Sequence, residues 1–578
     1  MKPFELTDPF GTAPDKGPFL QSVSRGVPWH NLPVTREYTL GQLLDQTIAR
    51  CGENDAVVYA DRDFRLNWYE FGEEVDRLAR GLMALGVRRG EKIALWATNV
   101  PHWVVLMFAA AKIGAVLLPL NTNYKEHEMD FALKQSDTEN LFVINGFRDC
   151  SYVDVVYKLV PELREQPRGA LKSERYPHLK RVMYLGGEKH RGMYSLNEVL
   201  SLAVETPWAA YLARQAECDV NDVVNMQYTS GTTGFPKGVQ LTHRNIGNDG
   251  FWIGACQNLT CRDRVCIPVP LFHCFGCVLG VMSCVNHGAT MVFVEKFDPI
   301  QVMMSIERER CTATYGVPTM YIAMLDHPLF GKFDFSSLRT GIMSGSACPV
   351  HRMQQVFDRM YMKEVTNPYG LTESGPVMTM TRYFEPSIER KCQTIGQALP
   401  GIEVAIIDPD THDLAPLGKD GEICCRGFNT MKGYYKMPEQ TAQCIDENGW
   451  LHSGDIGRMD EEGYFYITGR LKDLIIRGGE NISPKEVEDF LGTMPGVKDV
   501  AVVGCPSKKY GEQPAAFIIP SDGANLQESD VADFCHNKIS WFKIPKYVHF
   551  LDVFPMTASQ KIQKYKLREL AHELWPDA

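Results

Sequence analysis

Residues 228–238 read Tyr-Thr-Ser-Gly-Thr-Thr-Gly-Phe-Pro-Lys-Gly, a run of small hydroxyl residues and glycines that ends in a lysine and a glycine. Backbone N–H groups and hydroxyls in such a run can surround a phosphate, and Lys237 adds a positive point charge. The common nucleotide-binding loop has Ser or Thr after its lysine, whereas Gly238 stands here. Val239–Leu241 reads as a short strand and Thr242 as a helix cap. The pattern predicts a phosphate-binding hairpin, although a Ser/Thr/Gly cluster alone is as often a surface turn.

Strands and helices alternate on both sides of this loop. Apolar residues that step by four and three from Phe71 to Leu85 predict a helix, with Asn67 and Glu70 forming a capping box at its start. The other elements are predicted as strands at 92–97, 288–294 and 311–315, a helix and strand within 103–120, and a helix at 320–325. This alternation predicts an α/β fold with largely parallel sheets.

The pattern changes after residue 400. Glycines and short alternating runs at 401–435 predict a β-rich piece. From residue 472 the sequence predicts a small α+β unit, whose first helix is opened by a capping box of Ser483 and Glu486. Its other elements are predicted as strands at 500–504, 515–519 and 547–551 and a helix at 529–539. We therefore predict an N-terminal domain of residues 1–470 and a C-terminal domain of residues 471–578.

Composition and charge exclude several classes of protein. The 578 residues are 44% hydrophobic and 23% charged, which excludes a collagenous, coiled-coil or disordered chain. The net charge of −11 comes without a basic block, so nucleic acid is not expected as a partner. The most apolar stretch, Trp103–Leu120, contains Lys112 and Pro119, which favours a buried helix and strand over a membrane span. Seventeen scattered cysteines and an N-terminus without a signal pattern predict reduced thiols in a cytoplasmic protein.

Six segments together resemble one family in their order and spacing. They are residues 228–238, Tyr369–Ser374, Gly421–Gly427 with Gly433-Tyr434, Trp450–Asp455, Gly469–Asp473 and Pro555–Ile562. The family is the adenylate-forming superfamily of acyl-CoA synthetases, luciferases and peptide-synthetase adenylation domains, and the chain most resembles the medium-chain acyl-CoA synthetases. The resemblance implies a large N-terminal body of αβαβα-type layers with a β-rich subdomain, followed by a small mobile C-terminal α+β domain.

The resemblance also implies an activity in fatty acid metabolism. An AMP-forming acid–thiol ligase converts a carboxylic acid, ATP and coenzyme A into acyl-CoA, AMP and pyrophosphate through an acyl-adenylate. ATP, Mg²⁺ and coenzyme A are the implied cofactors. The implied partners are these small molecules, with no nucleic acid and no membrane span, and the sequence carries no signal for an oligomeric state.

The family's ATP-contacting residues match positions in this chain. By resemblance, Glu373 binds Mg²⁺, Thr372 hydrogen-bonds the α-phosphate and Tyr369 stacks on adenine. Asp455 and Arg470 are implied to bind ribose and phosphate. The remaining implied ATP contacts are Thr229, Ser230, Gly231, Thr232, Thr233, Gly234, Lys237, Gly345, Ser346, Ala347, Asn367 and Gly370. Each of these residues taken singly is more often an ordinary turn or surface residue, so the interpretation depends on the whole set.

The C-terminal segment is implied to supply the catalytic lysine, Lys561. ATP and a carboxylate repel each other, and a lysine at the α-phosphate and the attacking oxygen lowers that barrier. Gln560 stands where the family usually has glycine. In the family this domain swings after adenylation, which makes Lys472 the implied pivot and Gly479 the implied wall of the pantetheine tunnel. A glycine there allows a thin ligand arm to approach closely.

The expected substrate is a simple carboxylic acid. Amino-acid-activating members of the family place an Asp after the Phe of the segment Pro270–Cys274, and this chain has His273 there. By resemblance His273 is an aromatic gate at the catalytic centre, and Trp252, Val317 and Ser344 line a pocket for a medium-chain, alicyclic or aromatic acid. The alternative for His273 is a core histidine. The nearby cysteines lack paired ligand spacing, so no structural metal is expected there.

Three other functions stay open at this point. One is a stand-alone adenylation enzyme that loads another acyl acceptor, such as a carrier protein, or drives a luciferase-type oxidation. A second is a binding or sensor protein without turnover, against which the intact Glu373, Asp455, Arg470 and Lys561 argue. The third is a membrane transporter, which the lack of an uninterrupted apolar span opposes.

Overall fold

The computed structural model describes residues 22–26, 32–229, 236–345, 350–477, 480–507, 510–536, 538–556 and 562–576. The chain divides into two compact units. The larger unit consists mainly of Ser24–Val404 and Cys425–Leu451, and the smaller mainly of Ala405–Cys424 and His452–Ala578. The predicted α/β class with a large N-terminal body and a smaller C-terminal part is confirmed, while the domain boundary after residue 470 stays a prediction.

An eight-stranded sheet of the larger unit carries the predicted hairpin. Its strands lie in the order Tyr194–Ser195, Arg181–Tyr184, Asn140–Val143, Lys92–Trp96, Val116–Pro119, Val223–Thr229, Lys237–Thr242 and Gly433–Tyr434. The first six strands pair in parallel, and the last two add antiparallel pairs. The strand predicted at 92–97 and the hairpin predicted around 228–238 are therefore confirmed.

A second, seven-stranded sheet lies in the same unit. Its strands lie in the order Glu364–Thr366, Thr340–Met343, Ala313–Gly316, Arg264–Ile267, Thr290–Phe293, Asp55–Tyr59 and Phe64–Asn67. All neighbours are parallel except the last pair. Short strand pairs and triplets lie at Gly146–Phe147, Cys150–Ser151, Pro368–Tyr369, Thr379–Met380 and Gln397–Ala398. The largely parallel sheets follow the predicted alternation of strands and helices.

Helices of the larger unit cover these sheets and close two of its apolar cores. One core packs the eight-stranded sheet against helices at Glu126–Ser136 and Tyr152–Leu159. The other packs the seven-stranded sheet against Pro299–Arg308, Pro318–Leu325 and Val350–Arg359. The remaining helices are Leu40–Cys51, Trp68–Ala84, His102–Lys112, Leu196–Ser201, Trp208–Ala216, His243–Cys256, Phe275–Met282, Ser283–His287, Ile388–Gln393 and Pro438–Ala442. The capping box of Asn67 and Glu70 is formed as predicted.

The helix His102–Lys112 explains the most apolar stretch of the sequence. All of its residues from Trp103 onward are buried, and Lys112 is 2% exposed. The Lys112 ammonium donates to Asp45 at 2.6 Å and to Asp76 at 2.7 Å, so the buried charge is paired twice. The stretch is thus a core helix, as predicted. Within the described ranges, no helix combines the length and the hydrophobicity that a membrane crossing requires.

Replacing Lys112 by methionine should lower the free energy of unfolding by about 2–3 kcal/mol, because two carboxylates lose their buried counter-charge. Chemical denaturation followed by circular dichroism measures this change. Lys134→Met is the matched control, since Lys134 makes an exposed pair with Asp130 and should cost less than about 0.5 kcal/mol. Equal destabilisation by both variants would show that the double pairing of Lys112 adds nothing.

The smaller unit is built from two sets of strands. Leu451–Met459 pairs antiparallel with Phe465–Arg470, and Ile402–Ile407 and Gly421–Gly427 are strands that precede this hairpin in the chain. The second set comprises Glu480–Ile482, Ile475–Arg477, Gly511–Pro520, Val497–Ser507 and Tyr547–Phe550. Its helices are Pro484–Leu491, Glu528–Cys535 and Lys564–Leu574. The predicted β-rich piece and α+β unit are confirmed, with the helix predicted at 529–539 ending at Cys535.

The predicted capping box of Ser483 and Glu486 is wrong. The helix begins at Pro484 as expected, but the Ser483 side chain makes no cap hydrogen bond. Its hydroxyl donates instead to the carbonyl of Thr468, and Glu486 accepts from the Lys543 ammonium. A tertiary hydrogen bond thus engages the hydroxyl that was predicted to cap the helix, which the local spacing of the two residues does not reveal.

Candidate active site

The base of the predicted phosphate loop is held by a strand pair. Thr229 ends one strand and Lys237 begins the next, and the two residues face each other in the antiparallel register. The loop between them is therefore anchored at both ends. The predicted loop residues Ser230, Gly231, Thr232, Thr233 and Gly234 lie outside the described residues, as do Ser346, Ala347, Gly479 and Lys561. Their roles stay predictions.

The Glu373 carboxylate lies beside this strand pair. Its Oε1 atom accepts from the Tyr434 hydroxyl at 2.8 Å and from the Thr229 hydroxyl at 3.4 Å. Its backbone carbonyl accepts from the N–H of Met431 at 2.9 Å. No described residue hydrogen-bonds to Oε2, so this second oxygen, on a carboxylate held at Oε1 by two hydroxyl donors, is available to a hard cation. This donor set fits the magnesium that the sequence analysis implies at Glu373.

Tyr434 connects the two charged groups of the phosphate site. Its hydroxyl donates a hydrogen bond to the Glu373 carboxylate, and the Lys237 ammonium lies 4.9 Å from the centre of its ring. Burial and the neighbouring Glu373 charge raise the pKa of Tyr434 well above its ordinary value. The phenol therefore stays protonated near neutral pH and donates to the Glu373 carboxylate.

Three predicted residues each follow a strand of the seven-stranded sheet. Val317 follows Ala313–Gly316, Ser344 follows Thr340–Met343, and Asn367 follows Glu364–Thr366. The three strands are parallel neighbours, so the residues gather at one carboxyl edge, where ligands of α/β sheets bind. In this structure the Ser344 hydroxyl donates to the carbonyl of Pro368 at 2.6 Å, and the Asn367 amide donates to that of Thr394 at 3.2 Å.

Gly370 has no room for a side chain, and Gly345 has a backbone conformation that disfavours one. A Cβ on Gly370 would lie 2.0 Å from the carbonyl oxygen of Pro376. Gly345 has a φ of +98° and its Cβ would lie 3.1 Å from Val317. Tyr369, next to Gly370, is half-buried in the short strand that pairs with Thr379. Backbone segments of the protein therefore pack closely against each other in the region where the resemblance implies that adenine binds.

The predicted acyl-pocket residues are held differently. The His273 Nδ1 atom accepts from the N–H of Phe275 at 3.1 Å, so the proton of the neutral ring is on Nε2. Cys274 contacts the buried Thr372 hydroxyl through its sulfur at 3.8 Å. Trp252 is fully buried and its indole N–H donates to the carbonyl of Val34 at 3.0 Å. Substrate contacts of His273 and Trp252 stay predictions.

In the smaller unit, Asp455 and Arg470 face each other in the hairpin register and form an ion pair, with Arg470 Nε 2.5 Å from the carboxylate. Asp455 is buried, and Lys472 is exposed in the short turn Leu471–Asp473. Arginine and aspartate in this arrangement can bind the hydroxyl and phosphate groups of a nucleotide. The structure thus brings together the pair that the resemblance implies for ribose.

A carboxylate holds the turn in front of Asp455. Glu422 Oε1 accepts from the N–H of Gly454 at 2.8 Å, and its Oε2 lies 2.7 Å from the Nδ1 atom of His452. The Cys424 sulfur lies 3.4 Å from the same nitrogen. Potential metal-ligand atoms of Glu422, Cys424 and His452 thus cluster within 4.8 Å. The direct hydrogen bond between Glu422 and His452 accounts for this cluster without a metal.

Two family models match the chain. That of the AMP-binding enzyme matches residues 44–435, and that of the AMP-binding enzyme C-terminal domain matches residues 486–561. The chain belongs to the AMP-binding enzyme family. The resemblance to adenylate-forming enzymes that the six segments carry is therefore confirmed.

Relatives of this AMP-binding enzyme carry the names of acyl-CoA ligases. YngI of Bacillus subtilis, named as an acyl-CoA synthetase, is 50% identical over 537 residues, which cover 93% of this chain and 98% of YngI. The mitochondrial medium-chain acyl-CoA ligase ACSF2 of Danio rerio is 37% identical, over 92% of this chain and 88% of ACSF2. The crystal structure of the anthranilate CoA ligase AuaEII with anthranoyl-AMP matches with a TM-score of 0.79 at 26% identity, over 94% of this chain and 98% of AuaEII.

The sequence analysis missed two residues of this AMP-binding enzyme that hold site residues in place. Tyr434 and Glu422 were quoted only as members of a glycine-rich β segment. Their partners Glu373 and Gly454 lie 61 and 32 residues away in the chain. No local pattern indicates such contacts, since they depend on strand pairing that only the folded chain defines.

Replacing Glu422 by alanine should raise the KM for ATP about tenfold while changing kcat less, because two hydrogen bonds to a charged group no longer hold the Asp455 turn. Steady-state kinetics with varied ATP measures this split. Glu461→Ala, in the exposed turn of the same hairpin, is the control and should leave the KM unchanged. An unchanged KM in Glu422→Ala would exclude a positioning role for this carboxylate.

Proposed function

We propose that this AMP-binding enzyme is an acid–thiol ligase that converts a medium-chain, alicyclic or aromatic carboxylic acid into its coenzyme A thioester. The observation that carries the proposal is the group formed by Thr229, Lys237 and Glu373 at the base of the loop. It offers a lysine cation and an oriented carboxylate, which are the groups that an Mg²⁺-bound triphosphate needs.

The reaction has two steps. A substrate carboxylate oxygen attacks the α-phosphorus of ATP, the bond to pyrophosphate breaks, and an acyl-adenylate forms. The coenzyme A thiolate, which has lost its proton to solvent, then attacks the acyl carbon, and the bond to AMP breaks. Anthranoyl-AMP in the crystal structure of AuaEII supports the same type of intermediate here.

Residues of this chain have distinct parts in the first step. Lys237 and the loop from Thr229 bind the phosphates, Thr372 hydrogen-bonds the α-phosphate, and Lys561 stabilises the charge that develops during attack. Asp455 and Arg470 bind the ribose. Glu373 would hold a magnesium ion, which would supply positive charge that neutralises part of the negative charge of the triphosphate.

The second step uses the C-terminal region. Lys472 in the exposed turn Leu471–Asp473 is the proposed pivot, so that residues 471–578 act as the mobile domain, and Gly479 is the proposed lining of the pantetheine path. Loading of a carrier protein is less well supported than transfer to coenzyme A, because the relatives YngI and ACSF2 carry the names of acyl-CoA enzymes.

The substrate class rests on His273 and on the relatives. His273 stands where amino-acid-activating members of the family have a carboxylate that binds an ammonium group, which supports selection of an acid without a charged ammonium group. ACSF2 is named for medium-chain acids and AuaEII for anthranilate, which supports the same range of acids here. Free, mostly buried cysteines among the described residues fit a reducing compartment, and we place the reaction in the cytoplasm.

An AMP-release screen over straight, branched, alicyclic and aromatic acids tests this function. Each acid is assayed with coenzyme A, with a pantetheine-loaded carrier protein, and with neither, and acyl-CoA is quantified alongside AMP. We expect one AMP to be released for each acyl-CoA formed. With the carrier protein, we expect no acyl-carrier product in an amount that matches the AMP. Amino acids serve as the negative substrate class. Absence of AMP with every acid would refute the proposal in favour of a binding protein without turnover.

A further inference from the structure

Tyr434 is placed by backbone pairing at the base of the phosphate loop. Its strand, Gly433–Tyr434, pairs antiparallel with Lys237–Thr242, and Tyr434 faces Val239 in the register. Its N–H donates to the Thr441 hydroxyl at 2.9 Å, at the helix Pro438–Ala442. The side chain is 8% exposed. Both backbone and ring are therefore held beside the loop by secondary structure.

The Tyr434 side chain has one contact with each charge of the site. The hydroxyl donates to Glu373 Oε1 at 2.8 Å, and the ring face attracts the Lys237 ammonium at 4.9 Å, within the range of a cation–π contact. The hydroxyl also lies 3.9 Å from the Cys444 sulfur. The Glu373 carboxylate thus contacts the hydroxyl of Tyr434, and the Lys237 ammonium contacts its ring.

This arrangement restricts the carboxylate. Tyr434 and Thr229 both donate to Oε1, which fixes the rotation of the Glu373 carboxylate and turns Oε2 away from these two hydroxyls. A tyrosine hydroxyl has a single donor proton, which Tyr434 directs to the Glu373 carboxylate. Removing the hydroxyl leaves the weaker Thr229 contact at Oε1 and loosens the rotation of the acid, while the ring, and hence the contact to Lys237, is retained.

We propose that Tyr434 is a positioning residue that orients Glu373 toward the divalent cation of the bound nucleotide and keeps Lys237 at the phosphates. The inference rests on the proposed function, because both charged groups take their roles from it. It adds a group that touches neither the acid nor the nucleotide, and it separates two effects within one side chain: the hydroxyl acts on the cation, and the ring acts on the phosphates.

Binding of ATP in the absence of acid and coenzyme A tests the proposal without turnover. Isothermal titration calorimetry gives the factor by which Mg²⁺ tightens ATP binding. In Tyr434→Phe this factor should fall about threefold or more, with binding of metal-free ATP unchanged. In Tyr434→Leu metal-free ATP should also bind more weakly, because the ring is lost. Tyr435→Phe is the matched control: its hydroxyl donates to the Asp137 carboxylate at 2.9 Å, and the factor should stay as in the unaltered enzyme.

A second variant tests the same contact from the other side. In a Glu373→Ala background, Tyr434→Phe should have no further effect on the Mg²⁺ factor, since the side chain that it orients is gone. Additive effects would overturn the proposal, as would a Mg²⁺ factor in Tyr434→Phe equal to that of the control. Melting temperatures without ligand verify that each variant is folded. The AMP-release screen on the unaltered enzyme reports separately on the proposed function.

Discussion

Lys561→Ala should abolish acyl-adenylate formation, with a loss of about 10²–10³-fold or more, because one charge-stabilising donor of the transition state is removed. Thioester formation from supplied acyl-adenylate should be largely retained, since that step forms no bond at phosphorus. Pyrophosphate exchange measures the first half-reaction, and release of AMP from acyl-adenylate and coenzyme A measures the second.

Lys566→Ala provides the matched control for this experiment. Lys566 lies in the same lysine-rich segment and is exposed in the helix Lys564–Leu574, so both half-reactions should be unchanged. Equal loss of both half-reactions in Lys561→Ala would refute a scheme in which the C-terminal domain serves each step in a different position.

Glu373→Gln should slow adenylation about 100-fold and raise the Mg²⁺ concentration needed for half-maximal rate, because a neutral amide oxygen is a poorer ligand for a hard cation. Rates measured over a magnesium titration at saturating ATP test both effects. The variant keeps the volume of the side chain, so its fold should be intact.

The control for this variant is Glu389→Gln, which removes an exposed carboxylate that accepts from the nearby Ser387 hydroxyl. Its magnesium dependence should match that of the unaltered enzyme. If the Glu373→Gln variant had the rate and the magnesium dependence of the unaltered enzyme, Glu373 would not be a magnesium ligand.

Much of the fold could be predicted because it depends on local patterns. Apolar residues spaced by four and three positions after Asn67 predicted the helix Trp68–Ala84. The alternation of short apolar runs with helical segments predicted the parallel strands. The capping box of Ser483 failed, although its pattern is equally good: the Ser483 hydroxyl donates to the distant carbonyl of Thr468 and makes no cap hydrogen bond. Local signals hold only where no distant contact engages the same side chain.

In the candidate site, too, residues in local motifs could be predicted and residues that act through distant contacts could not. Glu373, Lys237 and Asp455 are predicted from motifs, since each has a chemical group that the proposed reaction requires. Tyr434 and Glu422 could not, since their contribution lies in contacts with residues far along the chain. A motif predicts the residues that bind the ligand. The residues that orient those ligand-binding side chains are set by strand register, which a motif does not describe.

Val317 and Ser344, at the ends of two parallel neighbouring strands, are proposed to line the acyl pocket. Ladder hydrogen bonding of the sheet runs through the strands that precede these positions, so exchanging the Val317 side chain leaves that ladder intact. The Ser344 hydroxyl donates to the carbonyl of Pro368, so its exchange removes a hydrogen bond. Libraries randomised at Val317 should therefore diversify acyl selectivity at a smaller cost in thermal stability than libraries randomised at Ser344.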